Sequence, residues 1–106
     1  MINLRLPAEW ELQDAIQIAF PSRTSDWLVY WDEVVPCCIH IIETIATYQP
    51  LIIVCDDVTD LNHYLKSIDR KNIYIIETEI NDTWARDHAA ITVQQEDSFL
   101  FYNFVF

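Results

Sequence analysis

Leu51-Ile52-Ile53-Val54-Cys55 is an unbroken apolar run, closed by Pro50 on one side and by the acidic pair Asp56-Asp57 on the other. A strand with one wet face alternates polar and apolar residues. A run without a polar member therefore predicts a strand covered on both faces, with a parallel neighbour. The flanking segments agree with that expectation. Ala15 to Phe20 is a second apolar run, closed by Pro21 and the polar cluster Ser22 to Asp26, and predicts a strand followed by a loop. Ile73 to Ile76 predicts a third, β-branched strand extending towards Ile80, after a polar turn at Asp69 to Asn72.

Two helical patterns separate these strands. Val35, Cys38, Ile42 and Ile45 recur at helical spacing, with Val34, Ile41 and Tyr48 widening the stripe. Asp32 offers an N-cap, Pro36 falls in the first turn where a missing N–H does little harm, and the helix ends before Pro50. Asp57 to Asp60 supplies caps for a shorter helix whose Leu61, Leu65 and Ile68 face the core. Strand and helix thus alternate over residues 15–80, an α/β arrangement. The final third differs. Ile91 and Val93 alternate with Thr92 and Gln94, Glu96 to Ser98 predicts a turn, and Phe99 to Phe106 a second strand, so residues 89–106 read as a β-hairpin. An aromatic strand of this kind needs cover, which predicts either a central position in a compact sheet or further protein after it. The whole reads as a mixed sheet with two helices and a C-terminal hairpin.

Charge and composition exclude several functions. The chain has 106 residues, with 17 Asp plus Glu against 6 Lys plus Arg, a net charge of −11. Phosphate backbones and anionic lipid surfaces repel such a chain, so neither nucleic acid nor membrane is an expected partner. With 52% hydrophobic and 13% aromatic residues it is not a disordered acidic segment. No run is long enough to span a membrane, and Glu9, Glu11 and Asp14 interrupt any leader-like start, which makes the cytoplasm the default compartment. Cys37, Cys38 and Cys55 are odd in number and lack metal or redox spacing; they read as reduced, core-packing cysteines. The sequence has no glycine, where average usage would supply roughly seven. Gly-rich phosphate loops of the Walker or Rossmann type are therefore excluded from these residues.

Functional groups are densest at Asn81-Asp82-Thr83-Trp84-Ala85-Arg86-Asp87-His88, directly after the third predicted strand. Two carboxylates, an arginine, a histidine and a tryptophan in a loop after a buried strand mark the place where α/β folds hold ligands. The same residues also suit a plain capping loop, with Asp82 as a cap, Arg86 paired to Asp87 and Trp84 plugging the core. His40 reads as a packed or surface residue on the long helix, and His63 as solvated beside Tyr64.

At this cluster the chain resembles a family. Leu6-Pro7-Ala8-Glu9-Trp10-Glu11, Phe20-Pro21, Tyr48-Gln49-Pro50 before a strand, and above all Asn81-Asp82-Thr83-Trp84-Ala85-Arg86-Asp87 are similar to the N-terminal third of agmatine deiminases and bacterial, Porphyromonas-type peptidyl-arginine deiminases. The resemblance covers essentially the whole chain. It implies a pseudosymmetric α/β propeller of the pentein type, of which residues 1–106 would form a single N-terminal segment: the first blade and the start of the next, with the domain continuing past Phe106.

It also implies hydrolysis of agmatine to N-carbamoylputrescine and ammonia, in putrescine biosynthesis; the alternatives are conversion of peptidyl arginine to citrulline, or a non-catalytic acidic interaction module derived from this family. In the family a cysteine thiolate attacks the guanidinium carbon, a histidine moves protons, two carboxylates grip the guanidinium nitrogens, and water breaks the thiouronium intermediate. By position, Asp87 matches the first of those carboxylates, at the catalytic centre, and Trp84 the tryptophan lining the substrate pocket. Asp82 would support the loop or meet a distal amine, and Arg86 would order the acids. A planar guanidinium suits such a site, because its paired N–H donors fit a carboxylate fork and its face suits an aromatic wall.

The family's nucleophilic cysteine and its histidine lie beyond these residues, so the chain alone is expected to be inactive. No metal or organic cofactor is implied, since thiolate chemistry on a guanidinium needs neither. The expected partners are a cationic guanidinium compound and, through Phe99 to Phe106, the remainder of the parent chain or a second copy. Ala89 departs from the glycine common in the family after the position of His88.

Overall fold

A computed structural model describes residues 4–8, 10–79, 91–95 and 98–102. The chain divides into two compact units, Asp14–Thr83, and Met1–Gln13 together with Trp84–Phe106.

The first unit holds three parallel strands: β2 (Ile16–Ala19), β3 (Leu51–Cys55) and β4 (Ile73–Glu77), in the order β2-β3-β4. Ile18 pairs with Ile53, and Ile53 with Ile75. The central place of β3 explains its uniform composition. Leu51, Ile53, Val54 and Cys55 are buried and Ile52 is half-buried, as expected of a strand covered on both faces. On β4 half-buried Ile73 and Ile75 alternate with exposed Tyr74 and Ile76, the period of two expected of a strand with one face less covered.

Helix α1 (Trp31–Tyr48) follows a 3-10 turn at Asp26–Tyr30, whose N-cap Ser25 accepts a hydrogen bond from the Trp27 N–H. This corrects the helix start. Ser25, not Asp32, caps the segment, because the 3-10 turn runs straight into α1; Asp32 and Glu33 occupy the first α turn, where carboxylates suit the positive end of the helix dipole. Pro36 therefore lies two residues further into the helix than expected, in its second turn, and leaves the Asp32 carbonyl without its helical donor. At the far end the Gln49 N–H closes on the Ile45 carbonyl before Pro50.

Trp31, Val35 and Ile42 form the buried stripe, flanked by half-buried Val34, Cys38, Ile39 and Ile45. Ile41 and Tyr48 are exposed rather than part of it. At about 100° per residue they lie about 120° and 140° around the helix from Val35, outside the face that meets the sheet. The same geometry puts Cys37 on the exposed side, a second correction.

Helix α2 (Val58–Tyr64) is capped by Asp57, whose carboxylate accepts from the Asp60 N–H. Leu61 is fully buried within it, whereas Leu65 and Ile68 pack on the core from the turn beyond its end. The core of this unit gathers Phe20, Trp31, Ile42, Ile53, Leu61 and Leu65 between the helices and one sheet face. Asn72, in the turn before β4, donates its side-chain N–H to the Ala46 carbonyl at 2.9 Å and ties that turn to α1.

The second unit is an antiparallel sheet of β1 (Leu4–Arg5), β5 (Ile91–Gln95) and β6 (Ser98–Tyr102), in the order β1-β5-β6. The hairpin is present, with Gln95 opposite Ser98, so Ser98 belongs to the strand and not to the turn. Strand β5 is central, not the aromatic β6, whose Phe99 and Phe101 are exposed. What the sequence suggested as one mixed sheet is thus a parallel sheet and a separate antiparallel one. Residues 103–106 of the aromatic segment lie outside the described residues. Among the described residues no helix is long and apolar enough to cross a membrane.

Candidate functional site

Parallel strands present all their carboxyl ends at one edge, and open α/β sheets bind ligands there. In the first unit that edge is formed by Phe20 to Ser22 after β2, Asp56 and Asp57 after β3, and Thr78 and Glu79 after β4. The Thr78 N–H donates to the Cys55 carbonyl at 2.8 Å, which carries the β3–β4 ladder past the last strand residue. The sequence-predicted site residues Asp82, Trp84, Arg86 and Asp87, with His88 and Ala89 beside them, lie outside the described residues. In the sequence they follow directly on the strand that reaches this edge.

The loop after β2 is bound down at two points. Ser22 is buried, its hydroxyl donates to Asp56 Oδ2, and it shares a 2.8 Å hydrogen bond with the Thr24 hydroxyl. Arg23 forms a fork on Asp60, with Nε to Oδ2 at 2.9 Å and Nη2 to Oδ1 at 3.1 Å, and Nη2 also donates to the Tyr64 hydroxyl at 3.1 Å. Its guanidinium carbon sits 4.6 Å from the centre of the Trp31 ring, and Trp31 Nε1 donates to the same Tyr64 hydroxyl at 3.1 Å. Phe20 meets the Trp31 ring edge-on at 6.3 Å. One knot therefore joins the end of β2, the first residue of α1 and the whole of α2. The Asp60 hydrogen bonds hold the Arg23 guanidinium even more firmly protonated than usual.

The edge is acidic. Asp56, Asp57, Glu77 and Glu79 are all exposed there. Asp57 caps α2, and Glu77 Oε2 accepts from the Val58 N–H at 2.8 Å, so two carboxylates serve the first turn of that helix. Cys55 lies behind them, and its thiol is pushed up, first by burial and then by the charges of Glu77 and Asp56, while the Asp57 backbone N–H works the opposite way. Burial also raises the Cys38 thiol, with Cys37 adding to it. All three cysteines carry free thiols. Burial resists thiolate formation at both Cys38 and Cys55, and neighbouring carboxylates add to it at Cys55, which argues against either as a nucleophile.

His40 is exposed on α1, and His63 is exposed with its ring 5.3 Å from Tyr64. Among the described residues no group of three His, Cys, Asp or Glu side chains could hold a metal ion. Sequence reading treated Arg23 as part of a polar loop and Tyr64 as a neighbour of His63. Only the juxtaposition of residues 33 to 41 positions apart reveals their joint role, and no local spacing signals it.

Comparison with known proteins agrees with this architecture. The Porphyromonas-type peptidyl-arginine deiminase family matches residues 5–106. Agmatine deiminase of Pseudomonas syringae pv. syringae is 27% identical over 85 residues, covering 80% of this chain and 23% of that protein. The structure of C. jejuni agmatine deiminase superposes with a TM-score of 0.88 at 23% identity, over 98% of this chain and 32% of that one. A Porphyromonas gingivalis protein assigned as an arginine deiminase superposes with a TM-score of 0.83 at 32% identity, over 98% of this chain and 31% of that one. The chain spans about a quarter of the length of the curated relatives it matches and about a third of the solved structures. With the family match running through both units, the chain belongs to the Porphyromonas-type peptidyl-arginine deiminases.

Proposed function

We propose that residues 1–106 are the N-terminal segment of a guanidine deiminase domain that hydrolyses agmatine to N-carbamoylputrescine and ammonia. The observation that carries this reading is a family match over residues 5–106, a span that includes Asn81-Asp82-Thr83-Trp84-Ala85-Arg86-Asp87. The acidic carboxyl edge of the parallel sheet, from which that segment continues, supports a cationic substrate. Relatives named agmatine deiminase support the choice of agmatine. A cysteine-to-serine variant of the C. jejuni enzyme has been solved with substrate bound, which supports a guanidinium compound as the ligand class.

Asp87 then grips the guanidinium nitrogens, Trp84 forms the wall against its planar face, Asp82 supports the loop or meets the distal amine, and Arg86 orders the two acids. The reaction needs a thiolate to attack the guanidinium carbon and expel ammonia, and water to release the ureido product from the thiouronium adduct. Cys38 and Cys55 are unsuited to that step and Cys37 lies on the solvent side of α1, outside the carboxyl edge; in this reading the nucleophile and its proton-moving histidine come from the part of the domain that these residues do not span. In this reading the parallel sheet with its two helices is the first blade of a pentein-type propeller, and the hairpin begins the next.

The test is ammonia release from agmatine by a full-length deiminase carrying these residues. Asp87→Asn is expected to abolish turnover while leaving the urea midpoint unchanged. Turnover by that variant at close to the unmodified rate would remove Asp87 from the site.

Peptidyl arginine is the second substrate reading, favoured by 32% identity to a solved protein described as a peptidyl-arginine deiminase, against 23% to the C. jejuni agmatine deiminase. Citrulline formation on an arginine-containing peptide, with agmatine left intact, would decide for it.

A further inference from the structure

Running along α1 from the Arg23 knot, residues 31–43 of that helix and Tyr64 at the end of α2 border an open groove of about 470 Å³. Half-buried Ile39 and the outer edges of the otherwise buried Trp31 and Val35 supply its apolar floor, and Asp32 and Glu43 line it well apart along α1. At 1.5 Å per residue those carboxylates are about 16 Å apart along the helix. The wall is held in place before anything binds, because the Tyr64 hydroxyl accepts from both Trp31 Nε1 and Arg23 Nη2. Beside it the 3-10 turn buries none of its residues and leaves Leu28, Val29 and Tyr30 exposed.

The charges around this face have one sign. Helix α1 carries Asp32, Glu33 and Glu43 and neither Lys nor Arg, and no Lys or Arg occurs in the sequence between Arg23 and Lys66. Arg23 itself is committed to Asp60. An apolar floor between carboxylates fits an occupant with apolar side chains flanked by cations, and the separation of the two ends calls for an elongated one.

We propose that the α1 groove is a docking site for a basic amphipathic peptide segment of a partner protein, which lays its apolar face on Trp31, Val35 and Ile39 and places cationic residues against Asp32 and Glu43. This site adjoins the carboxyl edge at Trp31 but uses none of the carboxylates assigned to that edge, and it does not depend on the deiminase reading.

The test is fluorescence anisotropy on the 106-residue chain with a labelled helical peptide of about twelve residues, long enough to span the groove, with Leu on one face and Lys at both ends. Saturable binding is expected at roughly 0.15 M salt. A scrambled peptide of the same composition and charge is expected to bind more weakly. Glu43→Lys is expected to weaken binding about fivefold, whereas Asp14→Lys, an equal change of charge before β2 and outside the groove, shifts it by less than about twofold. Both residues are exposed, and circular dichroism checks that each variant keeps its fold. Equal binding of the scrambled peptide, equal loss in the Asp14 variant, or absence of saturable binding would each overturn the proposal, the first two by showing that general acidity is all the peptide senses.

Discussion

The Arg23 guanidinium spends its donors on Asp60 and Tyr64 and rests its face on Trp31. A lysine could keep the charge but not the fork or the stacking. The urea midpoint is therefore expected to fall for Arg23→Lys and further for Arg23→Met. Ile42, fully buried on α1, tests the packing beneath: Ile42→Ala is expected to cost about 2–5 kcal/mol in urea unfolding, since the lost methyl groups leave a cavity between helix and sheet. The cysteines give a pH dependence. Burial raises the Cys38 and Cys55 thiols above their ordinary value of 9.0, so above that pH the unfolded chain releases protons that the folded chain retains. Stability contributed by the two thiols is expected to be intact below pH 9.0 and to decline as the pH rises towards their folded values, as urea melts across that range would show. Glu11, held below its ordinary 4.5 by the Arg5 side chain and the Ala8 N–H, works in the acid range: its contribution is present above 4.5 and is lost as the pH falls through its lowered value.

At the scale of single elements, α1 shows both the reach and the limit of local patterning. Its body is legible, because Val35 and Ile42 recur on one face at helical spacing and Pro50 bars continuation. Its start is not, because Asp32 resembles a cap as strongly as Ser25 does, and the 3-10 turn between them carries no apolar periodicity. Pro36 is the consequence that can be measured. Replacing it by alanine restores a donor for the Asp32 carbonyl and is expected to stabilise the chain by about 1–3 kcal/mol, read as a rise in the urea midpoint. Helix α2 is legible at its cap, since an Asp before a short apolar run is a strong local signal. Asp57→Ala is expected to cost about 1 kcal/mol, more than an exposed carboxylate without a backbone donor would. Strand β3 is the most legible element, because the central position of a parallel sheet demands apolar residues on both faces.

At the scale of the whole molecule, the chain covers about a quarter to a third of the relatives it matches, and the proposed chemistry needs groups that none of its described residues supplies. The isolated chain is accordingly expected to release no ammonia from agmatine, and the full domain carrying it to do so. The proposed site rests on residue types alone, Asp82, Trp84, Arg86 and Asp87, because carboxylate, aromatic and arginine crowd into one short segment after a strand, and that segment lies outside the described residues. The acidity of the carboxyl edge was not legible. Asp56 and Asp57 read as the end of a strand, and only the parallel register brings them to the same edge as Glu77. Residue order alone carries most of the local elements, the exclusion of phosphate loops, and the family, since periodicity, caps and a contiguous motif are all written within a few residues. The split into two sheets, the recruitment of Leu4–Arg5 as a strand beside β5, and the Arg23 knot emerge only once the chain is folded. Those features join groups 37 residues apart in the knot and 89 apart between Arg5 and Gln94, and contacts at such separations leave no periodic trace in the chain that makes them.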